Sequence, residues 1–233
     1  VAGYLVWERR RELRRIPARV SRWGYPLLLA GIALLVLGQA ATFGYAARIS
    51  LLLVLAGLVL FLAGPRVLRA VAFPLAYLLF MIPPPAIVMN AIAFPLQLMA
   101  ARLATGSLDL LGVPVLREGN IITLAPMRLE VTEACSGIRS LIALLALAVI
   151  FAYFTQRTPL PRVLVALSAI PIALVTNAAR IALTGMLVEG IGPAAGLGFY
   201  HVFSGLLVFA LALVLLAVES LALSRLAAPA VRA

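Results

Sequence analysis

The sequence predicts an all-α polytopic membrane protein: about six complete transmembrane helices, an interfacial or re-entrant helix and a small outer β-hairpin. Three observations predict it. Of 233 residues, 64% are hydrophobic and only 12% charged, with a mean hydropathy of +1.14, which excludes a soluble globule. Several apolar runs approach or exceed the roughly 20 residues that cross a hydrocarbon core of about 30 Å. The runs are apolar on every side, whereas strands of a transmembrane barrel alternate apolar and polar residues over about ten positions.

Each element follows from local composition. Residues 1–7 are mostly apolar and stop at Glu8. A signal peptide carries its charges before the apolar run, so this stretch reads as the end of a truncated span or an interfacial anchor. Residues 8–22 hold seven arginines and two glutamates, a cytoplasmic segment by the positive-inside rule. A first span then runs outward over about Tyr25–Phe43, and a second returns over about Ile49–Ala63 to Arg66 and Arg69. A third leaves over roughly Val67–Ile82 and stops at Pro83, Pro84 and Pro85, which lack the amide hydrogens a continuing helix needs.

Residues 86–104 are apolar but broken by Asn90, Pro95, Gln97 and Arg102, and read as the interfacial or re-entrant helix. The longest polar stretch follows, an outer loop over about 105–134. Its Gly119-Asn120 between β-prone runs predicts a hairpin. Spans over about 137–154 and 163–187 come next, the latter kinked at Pro171. A Gly-rich outer connection over 189–200 leads to a last span from His201 to about Leu221. With this topology 13 of the 19 arginines are cytoplasmic, and the chain reads as one membrane domain over 1–233.

The net charge of +11 comes entirely from arginine, and because it clusters between apolar runs it meets lipid headgroups rather than nucleic acid. A single cysteine, Cys135, excludes an intrachain disulfide, and one cysteine with one histidine cannot complete a metal site. Gly190-Ile191-Gly192-Pro193 lacks the lysine of a phosphate-binding loop. No cofactor is expected.

Three places hold residues able to do chemistry. Glu133-Ala134-Cys135-Ser136-Gly137-Ile138-Arg139-Ser140 lies where the outer loop enters a span. Free amides at a helix start favour a thiolate, the form that attacks carbonyls; Arg139 favours it further and Glu133 opposes it unless paired. Ser136 is the weaker nucleophile, without a G-x-S-x-G elbow. Asn177 and Arg180 are three apart and share a helix face, implying a polar pocket near the outer boundary. His201, the sole histidine, starts the last span and offers a general base. Topology puts Cys135, Arg180 and His201 at one depth on the outer side: nucleophile, oxyanion cation and proton carrier.

E-A-C-S-G-I-R-S at 133–140, N-A-A-R at 177–180 and His201 resemble the exosortase/archaeosortase family of membrane transpeptidases, with histidine in the third place as in its bacterial branch. The resemblance extends to the proline stop and to G-V-P-V-L-R-E-G-N-I-I-T-L before the cysteine. It implies a cysteine transpeptidase of the bacterial inner membrane with its site on the periplasmic face. Its substrates would be exported proteins ending in a Pro-Glu-Pro-like motif, a transmembrane helix and a basic cluster, delivered to an envelope acceptor. By the same resemblance Cys135 would be nucleophile, His201 acid/base and Arg180 stabiliser, with Glu133, Ser136, Gly137, Arg139 and Asn177 in support. The rivals are a non-catalytic assembly factor for exopolysaccharide export and a transporter, and the near absence of ionisable residues in the inner halves of the spans counts against the latter.

Overall fold

A computed structural model describes residues 1–131, 138–196 and 198–227, of which 195, 196, 198–202 and 227 are described by their backbone alone. The described chain forms two compact units, Val1–Ala86 and Ile87–Ala233.

The first unit is built on a helical hairpin, α3 (Gly24–Ala40) and α4 (Gly44–Ala63). The buried positions of α3 are Gly24, Gly31 and Gly38, seven apart, and those of α4 are Ser50 and Gly57, also seven apart. Seven residues make about two turns, so each set forms one seam, and small residues let the two backbones approach closely. A Cβ at Gly57 would lie 2.8 Å from the Leu28 amide, one at Gly38 2.8 Å from the Ala47 amide, and one at Gly24 would overlap the Phe61 main chain. Leu29, Ile32 and Val36 point outward, as lipid-facing side chains do.

Before this hairpin come α1 (Ala2–Glu8) and α2 (Arg10–Leu13), and after it α5 (Pro65–Tyr77) with a 3-10 turn over Leu78–Met81. The expected span over 67–82 is therefore a 13-residue helix of about 20 Å, less than a hydrocarbon core, followed by that turn. Pro74 is inside it and cannot donate to the Ala70 carbonyl one turn back. The Arg9 Nη1 donates to that carbonyl at 2.7 Å, while Leu5 is buried, so α1 is strapped onto α5 where proline leaves an acceptor open.

The second unit begins with α6 (Ala86–Leu110), one continuous helix of 25 residues where an interfacial or re-entrant helix is expected, and it is long and apolar enough to cross a membrane. Asn90 and Arg102 are exposed, while Ala93, Gln97, Ala100, Ala101, Ala104 and Leu108 make one buried face. The helix runs six residues past the expected end at 104. Three antiparallel strands follow: β1 (Val115–Glu118), β2 (Ile121–Leu124) and β3 (Arg128–Glu130), in the order β1-β2-β3. Glu118 pairs with Ile121, so Gly119 and Asn120 form the expected two-residue turn, with Gly119 at φ 65° in its first place. The third strand adds to the predicted hairpin and pairs Ile122 with Leu129.

Three further helices complete the unit: α7 (Ile138–Thr155), α8 (Pro159–Ile191) and α9 (Gly198–Ala227). At 33 residues α8 is about 50 Å long, well beyond a hydrocarbon core, and it serves two cores. Towards its C-terminal end Ile181, Ala182 and Val188 pack with Leu108 of α6 and with Ile122, Leu124 and Val131 of the sheet region. Towards its N-terminal end Val165, Ala169 and Ala173 pack with Leu144, Ala148 and Ala152 of α7 and with Ala212 and Leu216 of α9. Five long apolar helices and the shorter α3 make this a multi-pass membrane protein.

Candidate functional site

The i+4 rows that join α7, α8 and α9 are filled with alanine, valine and leucine near the α7–α8 turn and become polar further along α8. The row Val165, Ala169, Ala173 continues into Asn177, and Thr176 and Arg180 flank it one turn on. On α7 the corresponding end carries Ser140, and on α9 it carries Gly205. Between them lies a small pocket of about 20 Å³, open on one side. Leu144, Ala173, Val208, Phe209 and Ala212 line its apolar part, and Ser140, Thr176, Asn177, Arg180 and Gly205 its other part. That is room for about one water-sized group, such as a single oxygen, and too little for a helix.

Arg180 supplies the only described charge in this lining. Helical side chains tilt toward the helix N-terminus, so its guanidinium reaches back toward the apolar part of the pocket. The absent side chain at Gly205 makes room: a Cβ there would stand 3.5 Å from Arg180 Nη1. Nη2 is buried and meets no hydrogen-bond partner among the described residues. Thr176 cannot offer its proton, because its Oγ1 donates to the Ile172 carbonyl at 2.7 Å. The hydroxyl of Thr184, one turn past Arg180, is likewise spent on the Arg180 carbonyl at 2.9 Å. Among the described residues the pocket thus presents a charged donor with an unmet bond, open to an anionic or carbonyl oxygen that enters it.

The residues singled out from sequence fall into three groups. Asn177 and Arg180 share the pocket, as their spacing predicts. Arg139, expected beside the cysteine, is exposed on the first turn of α7 and is outside this lining, where Ser140 stands instead. His201 lies on α9 one turn before Gly205, and its side chain is outside the described part. Glu133, Cys135, Ser136 and Gly137 lie outside the described residues, as does any distance from the thiol to Arg180.

Sequence reasoning missed Ser140, Thr176 and Gly205. Ser140 ends the motif that contains the cysteine, and Thr176 is one turn before Arg180, so helical spacing was a usable signal for both. Nothing local marks Gly205. Among the described residues no three His, Cys, Asp or Glu side chains gather as metal ligands would.

Comparison with known proteins gives one result. Residues 1–218 match the family described as transmembrane exosortase. Neither the curated proteins nor the solved structures gave a match. The match spans nearly the whole chain and takes in every residue of the pocket, so the chain belongs to the transmembrane exosortase family.

Proposed function

We propose that this protein is a membrane cysteine transpeptidase that cleaves a C-terminal sorting signal from exported proteins and passes the product to an envelope acceptor. The observation that carries this reading is the Arg180 guanidinium, set over Gly205 with Nη2 buried and unpartnered among the described residues, in a chain of the exosortase family. A part-buried guanidinium with one buried nitrogen unmet among the described residues costs stability, and a developing oxyanion is the kind of partner that offsets it.

In this mechanism the substrate's helix docks among the spans and presents its scissile peptide at the periplasmic face of the inner membrane. His201 takes the Cys135 thiol proton, the thiolate attacks the carbonyl carbon, and the resulting oxyanion accepts a hydrogen bond from Arg180. His201, on α9 one turn from Gly205, gives a proton to the leaving amine as the C–N bond breaks. A thioester to Cys135 remains while the transmembrane helix and basic cluster of the signal depart. An acceptor amine, deprotonated by His201, then attacks the thioester and releases the thiol; water in its place gives proteolysis. Glu133, Ser136, Gly137, Arg139 and Asn177 shape the surroundings. Anionic lipids contact the arginine-rich segment on the opposite face.

The test is co-expression with a protein bearing a Pro-Glu-Pro-like signal, read by mass spectrometry of its new C-terminus. Wild type is expected to give a shortened product, and Cys135→Ala to insert normally and give none. Unchanged processing by Cys135→Ala overturns the assignment. An added moiety on the product identifies transfer, and a free carboxylate identifies hydrolysis.

A further inference from the structure

At the far end of the α7–α8–α9 bundle from the pocket is a second polar group, and it ties all three helices together. Gln156, in the turn between α7 and α8, is 2% exposed, and Ser220 of α9 is 1% exposed. The Gln156 Nε2 donates to the Ser220 carbonyl at 2.6 Å and to Thr155 Oγ1 at 3.0 Å, with Ser220 Oγ 3.3 Å away. Thr155 Oγ1 and Ser220 Oγ are 2.6 Å apart. Arg162, in the second turn of α8, donates from Nε to the Gln156 carbonyl at 3.0 Å and sets its guanidinium over the Tyr153 ring.

Counting protons fixes the directions. Thr155 has one hydroxyl proton and donates it to the Phe151 carbonyl at 2.6 Å, so Ser220 is the donor to Thr155. The amide can point only one way, since the reverse would set Oε1 against the Ser220 carbonyl, acceptor on acceptor. In this orientation Oε1 is buried and has no partner among the described residues.

The packing rows show what else it provides. The buried positions of α9 are Ser204, Val208, Ala212, Leu216 and Ser220, each four apart; those of α7 include Leu144, Ala148 and Ala152; those of α8 include Val165, Ala169 and Ala173. Apolar rows of alanine, valine and leucine with a uniform step of four keep their side chains in line after a slip of one step, about 6 Å. Apolar packing in lipid therefore sets the separation of these helices better than their axial register. Buried polar contacts are the usual means of specifying register.

We propose that Thr155, Gln156, Arg162 and Ser220 are positioning residues: a latch that fixes the axial register of α9 against α7 and α8 and so sets the depth of the pocket residues at the other end. Counted from the latch at about 1.5 Å per residue, Ser220 to His201 is about 28 Å and Pro159 to Arg180 about 31 Å, which puts both in one layer. A one-turn slip of α9 in either direction removes Gly205 from beside the guanidinium and shifts His201 by the same turn. The register claim stands on geometry alone; its consequence for turnover rests on the proposed function.

The test uses full-length protein in lipid nanodiscs with two independent readouts. Register is read in a Cys135→Ser background by oxidative cross-linking of cysteine pairs, Ala173→Cys with Ala212→Cys for the native register and Ala173→Cys with Leu216→Cys or Val208→Cys for a one-turn slip. Adding Ser220→Ala or Gln156→Leu is expected to move cross-linking from the native pair to a slipped pair, and Ser220→Thr to keep it native. In the Cys135 protein the same two changes are expected to lower kcat at least tenfold with KM within twofold, and Ser220→Thr to restore kcat. Native-only cross-linking in both latch variants overturns the proposal, as does full turnover in a slipped variant. If the parent processes no substrate while the cross-links shift as expected, the proposed function fails and the register device stands.

Discussion

Arg180 is the residue at which stability and activity are expected to part company. Its Nη2 is buried without a partner among the described residues, and a desolvated donor in that state costs about 1–3 kcal/mol, more when charged. Arg180→Met keeps a flexible side chain of similar reach, fills the space over Gly205 and removes the charge. The apolar part of the pocket, lined by Leu144, Ala173, Val208 and Ala212, accepts a thioether readily. Thermal unfolding in detergent is therefore expected to stay level or to rise by a few degrees, because about 1 kcal/mol corresponds to roughly 2–4 °C in a chain of this size. Activity is expected to move the other way. Loss of one donor to an oxyanion costs about 2.7–4 kcal/mol, or roughly 10²–10³ in kcat. Arg180→Lys keeps the charge on a shorter arm without the guanidinium fork and is expected to fall between the two. The assay is the ratio of processed to unprocessed substrate over time, beside melting curves of the same preparations. Arg180→Met with wild-type processing would refute the reasoning. So would a fall in melting temperature large enough to account for lost activity, since Arg180 would then be a structural prop.

Two further outcomes follow from close contacts. Gly24→Ala puts a Cβ into the Phe61 backbone, and the α3–α4 hairpin is expected to lose about 1–3 kcal/mol, whereas Gly44→Ala, with nothing within 4 Å, is expected to be neutral; melting curves compare the two. Gly205→Ala adds a Cβ at an ordinary 3.5 Å from Arg180 Nη1 and is expected to retain most activity, whereas Gly205→Leu fills the pocket and is expected to abolish processing without blocking membrane insertion.

Hydropathy made most of the membrane architecture legible, because a helix in lipid must satisfy its backbone internally and advertises itself by length. α3, α4, α7, α8 and α9 lie where the apolar runs are, with ends displaced by at most six residues. The segments that differ are those where side-chain pattern outweighs average composition. Arg66, Arg69 and Pro74 make α5 a short amphipathic helix, and the Arg9 bond that offsets Pro74 comes from a residue 61 positions away. Asn90, Pro95, Gln97 and Arg102 dilute α6 without interrupting it, because Gln97 sits on the packed face while Asn90 and Arg102 point away from it.

The site was legible to the extent that it is helical and local. Asn177 and Arg180 declare a shared face by their spacing, and both line the pocket. Gly205 was not legible: a glycine inside an apolar helix acquires meaning only when a guanidinium from another helix rests on it. The latch was hidden for the same reason, since Gln156 and Ser220 are common residues 64 positions apart until folding buries them together.

The central claim is that Cys135 forms a thioester with substrate, and capturing that thioester tests it most directly. Trypsin cutting after Arg128 and Arg139 releases Leu129–Arg139, the peptide that carries the cysteine. With substrate present and the acceptor withheld, that peptide is expected to carry the substrate's acyl group, to lose it on treatment with neutral hydroxylamine, and to be unmodified when the substrate lacks its signal. Product accumulating while Cys135 stays unmodified, or forming at an undiminished rate in Cys135→Ala, would contradict the account.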